Sequence, residues 1–306
     1  MSLAHPDETL LENVVQLTTP DMGFDKAGEA YFSPDAKKIS FQAVPKGEKG
    51  YQIYTLNLET NEIVQISQNA LNCTCSYFHP TESRILFAAS PIDVTLYGDK
   101  YKWDFTPYMN IYEANLDGSD AVQLTFGPAY HAECAYSPDG KEIVFASNES
   151  GSMNLYVMNR NGSNARRVTT TDHCYNGGPF FSPNGSKIIY RADPEVENQL
   201  QIYVMEKDGS NVQKLTANGA VNWAPYWLND TIIAFTTSIH GHRNYEIYLL
   251  SLLTGNTFRV THHQAFDGLP SFNKEGNKML WTSKRGVDNT SQIYMADFKL
   301  PSGFYE

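Results

Sequence analysis

Apolar and polar positions along this chain alternate in short runs, and turn residues interrupt every run. Alternation with period two is the signature of half-buried strands. The pattern is clearest over residues 135–169. Tyr136 opens a first apolar run and Ser137-Pro138-Asp139-Gly140 makes a tight turn. Residues 143–146 are β-rich, 148–153 are polar with a glycine, and 155–158 alternate again. Asn161-Gly162 is a strong hairpin signal, and 166–169 close the unit. The stretch predicts four short antiparallel strands, a to d. Such a meander cannot cover both of its faces alone and needs neighbours like itself.

The chain supplies them. The a–b turn recurs at Ser33-Pro34, His79-Pro80, Ser137-Pro138, Ser182-Pro183, Leu228-Asn229 and Asn273-Lys274, at spacings of 46, 58, 45, 46 and 45 residues. A third-strand pair recurs as Ile53-Tyr54, Ile111-Tyr112, Leu155-Tyr156, Ile202-Tyr203, Ile247-Tyr248 and Ile293-Tyr294. Six meanders of this period predict an all-β, six-bladed β-propeller; a β-solenoid is the alternative, and four strands per unit favour the propeller. A closing signature appears at Leu17-Thr18, Ile66-Ser67, Leu124-Thr125, Val168-Thr169, Leu215-Thr216 and Val260-Thr261. Its first copy precedes any a–b–c set, and no copy follows Ile293. Residues 14–18 are therefore expected to complete the sixth blade and hide the last open sheet edge. The domain reading is an N-terminal tail (1–13), one propeller (14–300) and a C-terminal tail (301–306).

These residues carry a resemblance. The Ser-Pro-Asp-Gly turns, the Ile-Tyr…Asp-Gly hairpins and the Leu-Thr endings resemble TolB-like, PD40-type (WD40-like) propeller repeats, most closely over residues 180–193 and 268–286. The resemblance spans about residues 14–297. It implies the propeller fold and, among such proteins, accessory roles in envelope systems or a place beside peptidases. His79, Ala36 and Leu228-Asn229-Asp230 depart from the pattern at a–b turns.

Charge narrows the partners. The net charge is −11, from 23 Lys and Arg against 34 Asp and Glu, and no basic run exceeds two residues. Nucleic acid and anionic membrane surfaces are disfavoured. No apolar stretch approaches a transmembrane span. Residues 1–11 are polar without a signal-peptide core. The expectation is either a cytoplasmic protein or an exported one lacking its signal, and the resemblance points to a periplasmic or secreted setting. Cys73, Cys75, Cys134 and Cys174 show no metal or redox spacing. They read as small buried hydrophobes, with a disulfide or soft-metal site as the other possibility.

Candidate chemistry gathers at one end. In a meander the d–a and b–c connections share the top, and the stereotyped a–b and c–d hairpins share the bottom. His131, His173, His262 and His263 fall on d–a connections, and His240 and His242 on a b–c loop, so six of the eight histidines map to the top. The b–c connection of blade 2 (90–110) is about 12 residues longer than its counterparts and holds Tyr97, Tyr101, Trp103, Phe105 and Tyr108. It is expected to lie over the channel mouth or to pack on the blade edge.

Strand a is innermost. Aligned on its aromatic, the position five earlier is Ala27, Cys73, His131, Asn176, Asn222 and Asp267. The position three earlier is Glu29, Cys75, Glu133, Gly178, Ala224 and Leu269. Side chains two apart share a strand face, so both layers are expected to point together. That ring would be polar and acidic, made by His131, Glu133, Glu29, Asp267, Asn176 and Asn222. It suits a divalent cation, a cationic group or a polar peptide end, and it also fits an ordinary water-filled axis. A metal (Ca, Mn or Zn) would use His131, Glu133, His173 and Asp267. Arg191 and Arg243, on or near b–c loops with Lys284 and Arg285, could grip a carboxylate. Trp103, His240 and His242 would add to the binding face.

Gly-x-Ser-x-Gly, His-Glu-x-x-His and phosphate-binding glycine runs are missing. The expected function is non-catalytic binding of a peptide, a protein partner or a small polar ligand at the top. The competing expectation is a metal-assisted lyase or hydrolase, because propellers resembling oligogalacturonate lyase use histidines and a metal at the channel mouth.

Overall fold

A computed structural model describes residues 3–68, 70–92, 105–301 and 303–304. Six four-stranded antiparallel sheets succeed one another along the chain. Their innermost strands are Phe24–Phe32, Asn72–Phe78, His131–Tyr136, Asn176–Phe181, Asn222–Asn229 and Asp267–Phe272. Each blade buries apolar side chains on both faces, and those of successive blades meet in six clusters, one per interface. Ile53, Ile66, Phe78 and Phe87 join blades 1 and 2, for example, while Leu280 and Ile293 of blade 6 pack on Phe41 and Leu56 of blade 1. The ring therefore closes, and the fold is a six-bladed propeller.

Closure comes from the N-terminal strand, as the repeat count requires. Leu11–Gln16 pairs with Gln292–Phe298 as the outer strand of blade 6, beginning three residues before the predicted start. The preceding segment docks as well. Glu8 is buried, and its carboxylate accepts both guanidinium edges of Arg285 at 2.9 and 2.8 Å and the His262 N–H at 3.0 Å.

The Leu-Thr signature has a physical cause that repeats in every blade. In blade 3 the Thr169 hydroxyl donates to Asn154 Oδ1 (2.9 Å) and accepts the Leu155 N–H (2.8 Å). Ser67, Thr125, Thr216 and Thr261 make the same pair of bonds, to Gln52, Asn110, Gln201 and Glu246 and to the amide that follows each. Thr18 does so for blade 6, with Gln292 (2.8 Å) and Ile293 (2.9 Å). The hydroxyl satisfies a buried amide that would otherwise be left without a partner where the short outer strand ends. Bottom turns follow a similar logic: the Ser137 hydroxyl accepts the Glu142 N–H and donates to Asp139. Where His79 replaces serine, its Nδ1 accepts the Thr81 and Glu82 N–H groups instead.

All four cysteines are free; Cys73, Cys75 and Cys134 are buried, and burial pushes the Cys73 thiol up to about 12.

Two outcomes follow. Thr18→Val keeps the shape but strands Gln292 and the Ile293 N–H, and should cost about 1–3 kcal/mol in urea unfolding; an unchanged midpoint would show that closure does not depend on this hydroxyl. Blade 5 places a carboxyl, Glu246, where five blades place an amide. Burial pushes its pKa up to about 8, helped by Asp267 and opposed by Thr261 and Arg259. The folded state then keeps a proton that the unfolded chain has already released. Stability from this group is complete below the ordinary carboxylate range and is lost as pH rises through about 8. Glu246→Gln should hold its stability on the alkaline side, by on the order of 2 kcal/mol over the parent, and identical pH–stability curves would refute this.

Candidate functional site at the axis

A bulge in every innermost strand governs the axis. Pairing between strands a and b slips at the matching place in every blade, between Gly28 and Tyr31, Thr74 and Ser76, Ala132 and Ala135, Gly177 and Phe180, Trp223 and Tyr226, and Gly268 and Ser271. The residue within each slip is left-handed: Glu29, Cys75, Glu133, Gly178, Ala224 and Leu269, with φ between 48° and 57°. An extra residue breaks the period of two, so the two layers expected to point together do not.

The position three before the aromatic faces the axis, and the position five before it turns into the walls. His131 is buried with its ring 6.1 Å from Phe145, and neither nitrogen makes a hydrogen bond of ordinary geometry. Burial lowers its pKa, against Glu149 and the Phe126 backbone. Asn176 donates to Met153 O and the Thr171 hydroxyl at 3.0 and 2.7 Å. Asn222 donates to Gln201 and Asn218 at 2.9 and 2.8 Å. Asp267 accepts Trp281 Nε1 at 3.0 Å and Arg285 at 2.8 Å. These four are wall residues, and the bulge is the reason.

The remaining candidates scatter. His173 is exposed on its loop. His240 meets the Tyr248 hydroxyl at 2.7 Å, His242 the Tyr245 hydroxyl at 3.1 Å, and Arg243 is exposed. Trp103, with Tyr97 and Tyr101, lies outside the described residues. The proposed metal set is thereby split: Glu133 faces the axis, His131 and Asp267 face inter-blade cores, and His173 lies on the outer loop. Among the described residues, no three His, Cys, Asp or Glu side chains gather as metal ligands would.

Three candidates do converge: Glu133, Arg191 and Glu29. Glu133 accepts the Tyr175 hydroxyl at 2.8 and 2.9 Å, Arg191 at 3.1 Å and the Gly178 N–H. Arg191, buried at the end of its strand, also donates to the Tyr175 hydroxyl at 2.7 Å and spans the Tyr175 and Trp223 rings. Glu29 accepts the Tyr31 hydroxyl at 3.2 Å. Burial raises its pKa, and the Glu133 charge adds to this, against Cys75, Arg191 and Tyr31. Below this layer Tyr31, Tyr77, Phe180 and Tyr226 meet across the axis with centroids 5.0–5.9 Å apart, and the Tyr77 and Tyr226 hydroxyls are 3.3 Å apart. Glu29, Tyr77, Phe180 and Tyr226 are only partly buried although they sit on innermost strands, so the axis keeps some open space at its aromatic floor. On its upper side Phe105, from the end of the long blade 2 connection, lies 6.1 Å from Tyr175 and 5.2 Å from Tyr130.

Sequence alignment missed Tyr175, the floor rings and the role of Gly177-Gly178. Side chains at either glycine would collide with the cluster: a Cβ on Gly177 meets Tyr175 and Glu133, and one on Gly178 meets Arg191. That adjacent glycine pair, present in blade 4 alone, was the available signal.

A family model described as the TolB beta propeller domain (PD40) matches residues 105–193. The Tol-Pal system protein TolB of Francisella tularensis subsp. mediasiatica (strain FSC147) is 29% identical over 173 residues, covering 55% of this chain. The chain spans 38% of that relative's length. The crystal structure of TolB from Acinetobacter baumannii matches with a TM-score of 0.63 and 21% identity, over 79% of this chain and 55% of that one. An oligogalacturonate lyase in complex with manganese matches with a TM-score of 0.57 and 16% identity, over 96% and 94% of the two chains. At these identities the two structures speak for the fold alone.

Gly178→Ala separates room from backbone strain, because Ala224 already holds the equivalent left-handed position. It should displace Arg191, leave Glu133 buried without its cation and cost about 3 kcal/mol in urea unfolding. A variant as stable as the parent would show that the cluster does not need the glycine.

Proposed function

Taking as premise that the chain is a TolB-like propeller of PD40 repeats, we propose that it is a non-catalytic binding module. It receives a peptide, a protein partner or a small polar ligand at the top mouth of its axis. The observation that carries this reading is the polar layer at the axis: a buried Glu133–Arg191–Tyr175 cluster with partly exposed Glu29 beside it, above a floor of aromatic rings. Space of this kind can hold a group of matching shape and charge, and His240, His242 and Arg243 stand exposed on one loop of blade 5. The wall groups are held by one another, which suits fixed recognition rather than proton transfer. The likeness to a Tol-Pal system protein supports a protein partner and a periplasmic or secreted setting, with the cytoplasm as the alternative.

The test scans labelled protein over an array of short peptides. Bound peptides should be lost with the combined substitutions His240→Ala, His242→Ala and Arg243→Ala, and kept with Lys141→Ala on the opposite face. Equal loss in both would sink the reading. The competing metal-assisted lyase or hydrolase is tested by elemental analysis of protein purified without a metal-affinity step. Stoichiometric Ca, Mn or Zn that disappears in His131→Ala would replace the binding module with that reading.

A further inference from the structure

The axial layer is lopsided. At the bulge position blades 1 to 3 carry Glu29, Cys75 and Glu133, whereas blades 4 to 6 carry Gly178, Ala224 and Leu269. One half of the pocket is thus acidic and the other small or apolar, with the aromatic rings below. Glu29, Tyr77, Phe180 and Tyr226 stay partly exposed although they sit on innermost strands, so water reaches them along the axis.

Glu133 is paired with Arg191, and among the described residues no ion pair reaches Glu29. A carboxylate ligand would find two acids beside it and the Arg191 cation already engaged by Glu133, whereas an ammonium would give Glu29 the ionic partner it lacks among the described residues. Resting on the binding-module reading, we propose that the axial pocket takes a primary alkylammonium group of the partner, with Glu29 as its counter-charge. The stem would lie along Ala224, Leu269 and the floor rings, as the aliphatic stems of cations do on apolar surfaces. A lysine side chain and a peptide N-terminus share this chemistry.

Proton balance makes the idea specific. Burial favours the neutral Glu29 carboxyl, with Tyr31, Cys75, Glu133 and Arg191 as the charged or titratable groups facing it. An incoming ammonium favours the ionised form. Where Glu29 is still protonated, Glu29–COOH and R–NH3+ would become the carboxylate–ammonium pair and one proton would leave to solvent; where it is already ionised the pair forms with no proton released. Affinity should rise with pH through the Glu29 titration, until the ammonium itself deprotonates, near about 10 for a lysine side chain and near about 8 for a peptide N-terminus.

Isothermal titration tests this with four probes: Nα-acetyl-lysine amide, tri-alanine amide with a free N-terminus, Nα,Nε-diacetyl-lysine amide and Nα-acetyl-glutamate amide. The first two separate a side-chain from a terminal ammonium; at least one should bind, with up to one proton released as read in buffers of different ionisation enthalpy. The neutral and anionic probes should not bind. Glu29→Gln mimics the protonated side chain, so its Tm should match the parent while affinity falls at least tenfold. Equal binding of the neutral or anionic probe, no saturation by either ammonium, or an unmoved affinity in Glu29→Gln would each overturn the assignment. If array peptides still depend on His240, His242 and Arg243 while the ammonium probes fail, the binding module stands and only this assignment falls.

Discussion

One extra residue in each innermost strand sets the character of the whole axis. Without the left-handed bulge, side chains five and three places before the strand aromatic would line up, and His131, Asn176, Asn222 and Asp267 would crowd the channel. With it, these polar groups turn into the blade interfaces, where each except the His131 ring finds hydrogen-bond partners. The conformation is uncomfortable for a residue with a Cβ, yet five of the six positions carry one. Because it recurs in every blade, the strain belongs to the architecture and is no mark of function by itself. What varies is the side chain the bulge presents, and there the three-fold polar sector of blades 1 to 3 is distinctive.

The ring is held shut by a second repeated device, the hydroxyl that joins the end of each outer strand to the start of the third. It makes the six units interchangeable in outline, and it lets a strand from the far end of the chain serve as the missing one. Glu246 is the one departure, a carboxyl in an amide's place, close to the buried Glu8–Arg285–Asp267 group between blades 5 and 6. That region is rich in charge but faces the ring wall, away from the axis.

At the axis, rigidity and openness are divided between layers. The floor is four aromatic rings in mutual contact, and the wall is a guanidinium and a carboxylate that share the Tyr175 hydroxyl. Glycines at 177 and 178 leave room for that wall, so a local absence of side chain in one strand lets long side chains from its neighbours meet. Among the described residues, Glu29 alone combines a carboxyl pKa raised by burial with partial exposure.

The repeat, the number of blades, the strand composition and the use of the N-terminus as the closing strand were all legible in the chain, because each rests on local turn chemistry and period-two alternation that recur six times. The closing Leu-Thr motif could be seen as a signature, although its hydrogen bonds could not. Which side chains face the axis was not legible, since a bulge is one residue long and shifts every later side chain to the other face. Counting back from the strand aromatic put six side chains in one ring; in the fold Glu133 and Glu29 stand together, while His131, Asn176, Asn222 and Asp267 turn into the walls. The convergence of Arg191 and Tyr175 on Glu133 and the four-ring floor needed blades distant in sequence to be brought around one axis. Local pattern determined what kind of ring this chain makes; only the closed ring decided what stands at its centre.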